Sequence, residues 1–467
     1  MAKASTIGEL KSEGYRTRSV KEEMRDNLIE KISTGEPIFP GIVGFEETVL
    51  PQLENAVLSG QDVIFLGERG QAKSRMARAL IHLLDEEMPV VAGSEINDDP
   101  LEPISAQARE LVGERGDGAP IEWVPRDRRY GEKLATPDIT VADLIGEVDP
   151  IKVAEGRYLS DELTIHYGML PRTNRGIFAL NELPDLAERI QVGLLNIMEE
   201  RDVQVRGYKI RLPLDLFVVA SANPEDYTNR GRIITPLKDR FGSQIRTHYP
   251  RTVEQEIDIM DQERTQFAPG GYDVSVPDYM KEIVAEVTHL ARRSSDISQR
   301  SGVSVRVSIC NYENLQSNAL KRAIRLREQQ VAPRVSDLAA LVSTTGGKIE
   351  LETVGDMSEE KIIDRLVNRA VLNVFNRRFS SADLTELVRN FENGLNVEVS
   401  DSMPSLEYVA QAAEVGGLTD AMGKLGAQGN PAVMASAMEF VLEGLHLHKK
   451  LNKSRVAGAG GRFLFRG

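Results

Sequence analysis

The chain has 467 residues and a mass of 51.7 kDa, which at ordinary domain sizes accommodates about three domains and excludes a single small one. Hydrophobic residues make up 41% and charged residues 27%, so a sizeable core can form and global disorder is excluded. Lys plus Arg number 57 against 71 Asp plus Glu, a net charge of −14, which argues against a nucleic-acid coat protein and makes nucleic acid an unexpected partner.

A single cysteine, Cys310, excludes an internal disulfide. The start MAKASTIGELKSEGYRTRSV has no apolar stretch of the secretory kind, so the expected address is the cytoplasm. No apolar run approaches the roughly 18 residues of a membrane span. Residues 1–40 are charged, run at their end into EPIFPGIVG and read as an N-terminal arm.

Residues 41–250 carry the strongest pattern. The run DVIFL is followed by GERG and then by AKSRMARALIHLL, with apolar residues at helical spacing: strand, loop, helix. A second run, Gly176 to Leu180, ends in Asn181-Glu182 and leads into the amphipathic AERIQVGLLNIMEERD. DVQVRGYKIRLP alternates around Arg206 and Gly207 as a β-hairpin, and a third run, Leu214 to Ala220, ends in SANPED. Three short buried strands separated by helices predict an α/β domain: an open parallel sheet with helices on both faces and ligands at the carboxyl ends of its strands. Residues 251–347 read as a helical domain closed by Gly346-Gly347. Residues 348–456 form a further helical region, and 457–467, Gly- and Arg-containing, read as a flexible tail.

Each strand end carries a candidate group. Gly67, Glu68, Arg69, Gly70, Gln71, Ala72, Lys73 and Ser74 follow the phosphate-loop pattern G-x-x-x-x-G-K-[ST], except that Ala72 replaces the second glycine. In such a loop backbone N–H groups curl around phosphate, Lys73 meets the β and γ oxygens, and Ser74 is a ligand of Mg²⁺. Alanine at 72 costs little if φ is negative there. Asn181 stands where a nucleotide hydrolase usually has Asp; as an amide it still orients a metal-bound water but brings no charge. Glu182 beside it is the candidate general base. Asn223 is placed to bond the γ-phosphate or the attacking water, and Arg240 in ITPLKDRF to reach a neighbouring subunit's nucleotide as an arginine finger. Structural readings stand beside these: a glycine turn with a surface lysine, an ordinary strand end, an Asn-Pro turn cap, and a salt bridge of Arg240 with Asp239 or nearby acids. The six histidines form no ligand-spaced cluster, and His446-x-His448 reads as a helix-end feature. A basic stretch after Glu443 reads as a solvated end.

Taken together, GERGQAKSR, GIFALNELPDL, the hairpin, VVASANPEDY and LKDRFG resemble the ATPase domain of the AAA+ superfamily, in the clade of the magnesium chelatase ATPase subunit and the MoxR-type ATPases. The resemblance covers roughly residues 40 to 347. It implies a parallel-sheet P-loop nucleotide domain followed by an all-α lid, ATP and Mg²⁺ as ligands, and Arg306, at the start of a lid helix, as a second sensor. It also implies a homo-oligomeric ring, expected to be a hexamer, and a protein client, with a von Willebrand-type partner as one candidate. The second function read from the sequence is an ATP-gated assembly module with negligible hydrolysis, which the amide at Asn181 permits. A transcription-coupled ATPase would need a loop such as GAFTGA, which the sequence lacks.

Overall fold

Short runs of Val, Ile and Phe build the frame of the first unit. In the computed structural model, β1 (Val63–Leu66), β2 (Tyr130–Leu134), β3 (Gly176–Asn181), β4 (Leu216–Ala222) and β5 (Ser243–Arg246) form one sheet in the order β5-β1-β4-β3-β2. All four pairings are parallel. Alternation along the central strands sends Val63, Phe65, Ile177, Ala179, Phe217 and Val219 into one apolar cluster and Ile64, Phe178, Leu180, Val218 and Ala220 into another. Both faces are therefore covered, as a parallel sheet requires. The structure describes residues 3–148, 164–200, 202–204, 211–223, 231–265, 270–299, 301–352, 358–456 and 461–467. The chain divides into two units, Met1–His248 and Tyr249–Gly467.

Two sheet strands lie outside the three apolar runs of the sequence: β2 and β5 are the edges. The N-terminal segment also differs from the expected arm. It folds into helices Ile7–Ser12 and Val20–Thr34, whose Ile7, Leu10, Val20, Met24 and Leu28 are buried. A capping box at Ser19 and Glu22 starts the second helix. Glu23 on that helix forms a buried two-pronged pair with Arg129, at 2.7 and 2.5 Å. The charged look of this segment comes from its solvent face.

The expected hairpin has its arms, Asp202–Gln204 and Arg211–Pro213, paired antiparallel; its turn, Arg206 to Tyr208, lies outside the described residues. So do residues 149–163. Beyond them, Ile165–Tyr167 pairs with Gly146–Val148, and a short helix, Met169–Arg172, leads toward β3.

The second unit is mainly helical. Helices Asp278–Ala291, Arg306–Leu326, Glu359–Arg378 and Pro431–Leu447 contribute Tyr279, Leu315, Phe375 and Phe440 to one apolar cluster. That cluster includes residues on both sides of 347/348, so the core is not divided where the sequence reading placed a boundary. The end of the chain is not the flexible tail expected: Arg462–Arg466 is the middle strand of an antiparallel sheet between Asn396–Ser400 and Asn452–Arg455. Phe465 is buried there, and Lys453 pairs with Glu443 at 2.7 Å, so part of the basic end is tied down. No helix among the described residues is long and apolar enough to cross a membrane.

Candidate functional site

After Leu66 the chain turns through Gly67–Ala72 and enters a helix at Lys73. Glycine at 67 leaves room for two side chains that pack over the turn: a Cβ there would lie 1.9 Å from Thr247 Oγ1 and 2.2 Å from Gln71 Oε1, and both would have to shift. Gln71 Oε1 braces the turn, accepting from the Glu68 N–H at 3.1 Å and the Thr247 hydroxyl at 2.7 Å. Arg69 is exposed at the loop's crest. Gly70 has φ +76° and Ala72 φ +54°. The condition under which alanine at 72 costs little is thus not met: this alanine is left-handed, where its Cβ crowds the following carbonyl.

Lys73 is buried, and a buried ammonium needs acceptors for its three donors. Its Nζ donates to Gly67 O at 2.6 Å, Glu68 O at 2.8 Å and Asn223 Oδ1 at 2.7 Å. Asn223 is buried as well, and its Nδ2 donates to Glu182 Oε2 at 2.8 Å. One side-chain relay therefore joins the loop lysine to the carboxylate at the end of β3. Glu182 itself sits at φ +55°, ψ +47°, with its N–H directed at Ser221 Oγ, 3.3 Å away. A left-handed glutamate at a strand end is a strained position of the kind that clusters at functional sites.

A second group forms beside the relay. Asn181 Oδ1 accepts from the hydroxyls of Ser74 and Ser221, each at 3.2 Å, and its Nδ2 donates to Glu132 Oε1 at 2.6 Å. Glu132 Oε2 in turn accepts from Arg78 Nη2 at 2.5 Å. The sequence reading missed Glu132 and Ser221. Ser221 stands two residues before Asn223, in the motif already singled out; Glu132 lies in YGEKL, which carries no motif and becomes relevant only through strand order.

Among the described residues no group of three or more His, Cys, Asp or Glu is suited to a metal ion. What converges instead is a hydroxyl and an amide oxygen, Ser74 Oγ and Asn181 Oδ1. Two hard oxygens fit Mg²⁺ held largely by phosphate and water better than an all-protein cage.

Arg240 closes the helix Thr235–Arg240. It donates from Nη2 to Glu199 Oε2 at 2.7 Å and lies 3.6 Å from Asp239 Oδ2, and the Glu199 contact holds its pKa above the usual arginine value. The salt-bridge geometry that the sequence left open is therefore present within one chain. Arg306 opens the helix Arg306–Leu326 of the second unit and is exposed. The structure brings Lys73, Ser74, Asn181, Glu182 and Asn223 together; Arg240 stands apart, on the Glu199 pair.

No family model matches the chain. Among curated proteins, it is 30% identical over 262 residues to a magnesium-chelatase subunit ChlI of Nostoc, a match covering 55% of this chain and 64% of that one. It is 27% identical over 326 residues to the ChlI subunit of Nephroselmis olivacea, covering 66% of this chain and 87% of that one. Among solved structures, a chain from the complex between subunits BchI and BchD of magnesium chelatase aligns with a TM-score of 0.37 and 22% identity, over 72% of this chain and 96% of that one. The sequence matches and the strand-end motifs agree: the chain is similar to magnesium-chelatase ChlI subunits, in keeping with the clade its motifs resemble, and it spans just under two thirds of the length of the Nostoc subunit.

Proposed function

We propose that the chain binds ATP with Mg²⁺ at the loop Gly67–Ser74, hydrolyses it as one subunit of a hexameric ring, and uses turnover to remodel or activate a partner protein. The observation that carries this reading is the relay Lys73–Asn223–Glu182. Lys73 rests on neutral oxygens that phosphate oxygens of a nucleotide can replace with a stronger, charge-assisted partner. Moving Lys73 releases Asn223 Oδ1, and a reoriented Asn223 frees Glu182 to take a proton from the attacking water. Ser74 and Asn181 would hold Mg²⁺, which when bound neutralises charge on the phosphate oxygens. Arg240 leaves Glu199 to reach the nucleotide of the adjacent subunit, and Arg306 acts as the sensor arginine. The matched proteins are named as magnesium-chelatase subunits, which supports a client that is itself a protein; a metal-handling or von Willebrand-type partner is the candidate.

Phosphate release and assembly size, measured together on wild type and E182Q with and without ATP-Mg²⁺, test the reading. The expected result is ATP-dependent assembly of both proteins with turnover lowered about a hundred- to ten-thousandfold in E182Q. Equal phosphate release by the two proteins would overturn Glu182 as base. Assembly with no phosphate release from wild type would leave only an ATP-gated scaffold.

A further inference from the structure

The amide at Asn181 leaves the nucleotide site short of a charge. Mg²⁺ bound with a nucleotide usually has one or two protein carboxylates besides phosphate oxygens, and neither Ser74 nor Asn181 supplies one. The sheet register brings a carboxylate to that place. β2 and β3 pair so that Leu134 lies opposite Asn181 and Glu132 opposite Ala179. Because side chains alternate with period two, Glu132 and Asn181 share one face of the sheet as diagonal neighbours.

The contact made across this diagonal has two consequences. Glu132 as a carboxylate only accepts, so its 2.6 Å bond with Asn181 Nδ2 decides which way the amide points. Oδ1 is thereby turned toward the Ser74 and Ser221 hydroxyls. The second consequence is charge: Glu132 places a carboxylate directly behind the amide. Its other partner, Arg78, has a side chain 64% exposed against 24% for Glu132, so solvent screens the arginine more than it screens the carboxylate.

We propose that Glu132 supplies, from the neighbouring strand, the negative charge that Asn181 lacks, so that the two side chains together serve Mg²⁺-nucleotide as one carboxylate at position 181 would. The proposal rests on the nucleotide-binding reading above. Glu132 is a positioning residue in it: it orients Asn181 and sets the field at Ser74. An outer partner of this kind governs metal affinity rather than the bare affinity for nucleotide.

The test is the affinity of the full chain for a fluorescent, non-hydrolysable ATP analogue, in Mg²⁺ and in EDTA, for wild type, E132Q and E132Q/N181D. Wild type is expected to bind more tightly in Mg²⁺. E132Q is expected to lose about ten- to hundredfold of that enhancement and to keep the EDTA affinity, while the double variant regains the enhancement. Full enhancement in E132Q overturns the proposal, as does a double variant that stays as weak as E132Q. Equal weakening of E132Q in Mg²⁺ and EDTA would make Glu132 a brace of the fold and also overturn it. Wild type that binds equally in both media sinks this inference and leaves nucleotide binding standing; wild type that binds in neither medium sinks both.

Discussion

The two units use buried polar groups in different ways. In the second unit buried charges meet opposite charges on neighbouring elements. Glu256 is fully buried and accepts from Arg292 at 2.8 Å and from the Ser308 hydroxyl at 2.5 Å, with His289 Nε2 3.5 Å away. Arg322 likewise pairs with Asp337 at 2.8 Å. Such pairs are closed: their geometry is satisfied within the fold, and they tie helices together. In the first unit Glu23–Arg129 is of this kind, but the strand ends are not. There Lys73 Nζ donates to two carbonyls and an amide oxygen, and Asn181 Oδ1 accepts from two hydroxyls, contacts with neutral groups that a charged ligand can outcompete, while the carboxylates Glu182 and Glu132 stand behind the two amides. The difference separates ionic groups that hold the fold from polar groups arranged for exchange.

Arg240 is the sharpest place to break this contrast, since its Glu199 pair looks closed although the arginine is proposed to act on a neighbour. An arginine finger contributes at least about a thousandfold to turnover, so R240A should lose that much phosphate release while its melting temperature stays near wild type. Mixing R240A with E182Q should restore activity, because one protein keeps the base and the other keeps the arginine. No recovery on mixing, with both proteins folded, would assign Arg240 to its own chain's surface.

Glu256 tests the other side. Removing one member of a buried pair leaves its partner uncompensated, and E256Q should cost about 3–5 kcal/mol of stability at pH 7. The effect should depend on pH. Burial pushes the Glu256 carboxyl up, but His289, Arg292 and Ser308 outweigh it and hold the group below its ordinary value of 4.5. A carboxyl depressed in the folded state adds stability that is complete above the unfolded value and is lost as pH falls through the lower folded value. Urea unfolding should therefore show the gap between wild type and E256Q at pH 7, shrinking below pH 4.5. A gap that is constant with pH would mean the loss comes from packing, not charge.

The same contrast explains what could be read in the sequence. β1, β3 and β4 are central strands buried on both faces, so they appear as continuous apolar runs. β2 and β5 are edges: YGEKL has no fully buried residue, and in SQIR only Ile245 is buried. Neither has a run to detect, and without β2 nothing pointed to Glu132. Lys73, Ser74, Asn181, Glu182 and Asn223 were legible because each lies at the end of a central strand or in the segment just after it, so local order along the chain stands in for position in space. The last strand was not, because Arg462–Arg466 is stabilised by partners at Asn396–Ser400 and Asn452–Arg455, and its own composition does not announce them.

Ala72 carries the smallest effect and the finest test of the loop. The left-handed conformation costs a residue with a Cβ about 1–2 kcal/mol, and glycine relieves this. Glycine also has more unfolded-state freedom to lose, a penalty of about 0.5–1 kcal/mol. The two terms leave A72G a net gain of between about zero and about 1.5 kcal/mol, or at most about 3–6 °C in the melting temperature of a unit of this size. Nucleotide affinity should stay unchanged if the loop of the free chain already has the binding conformation, since φ +54° is then needed in both states and the relief cancels. A gain in stability with a loss of affinity would show that ligand binding moves the loop out of the left-handed turn, since glycine then stabilises only the free form and Ala72 favours the rearranged one.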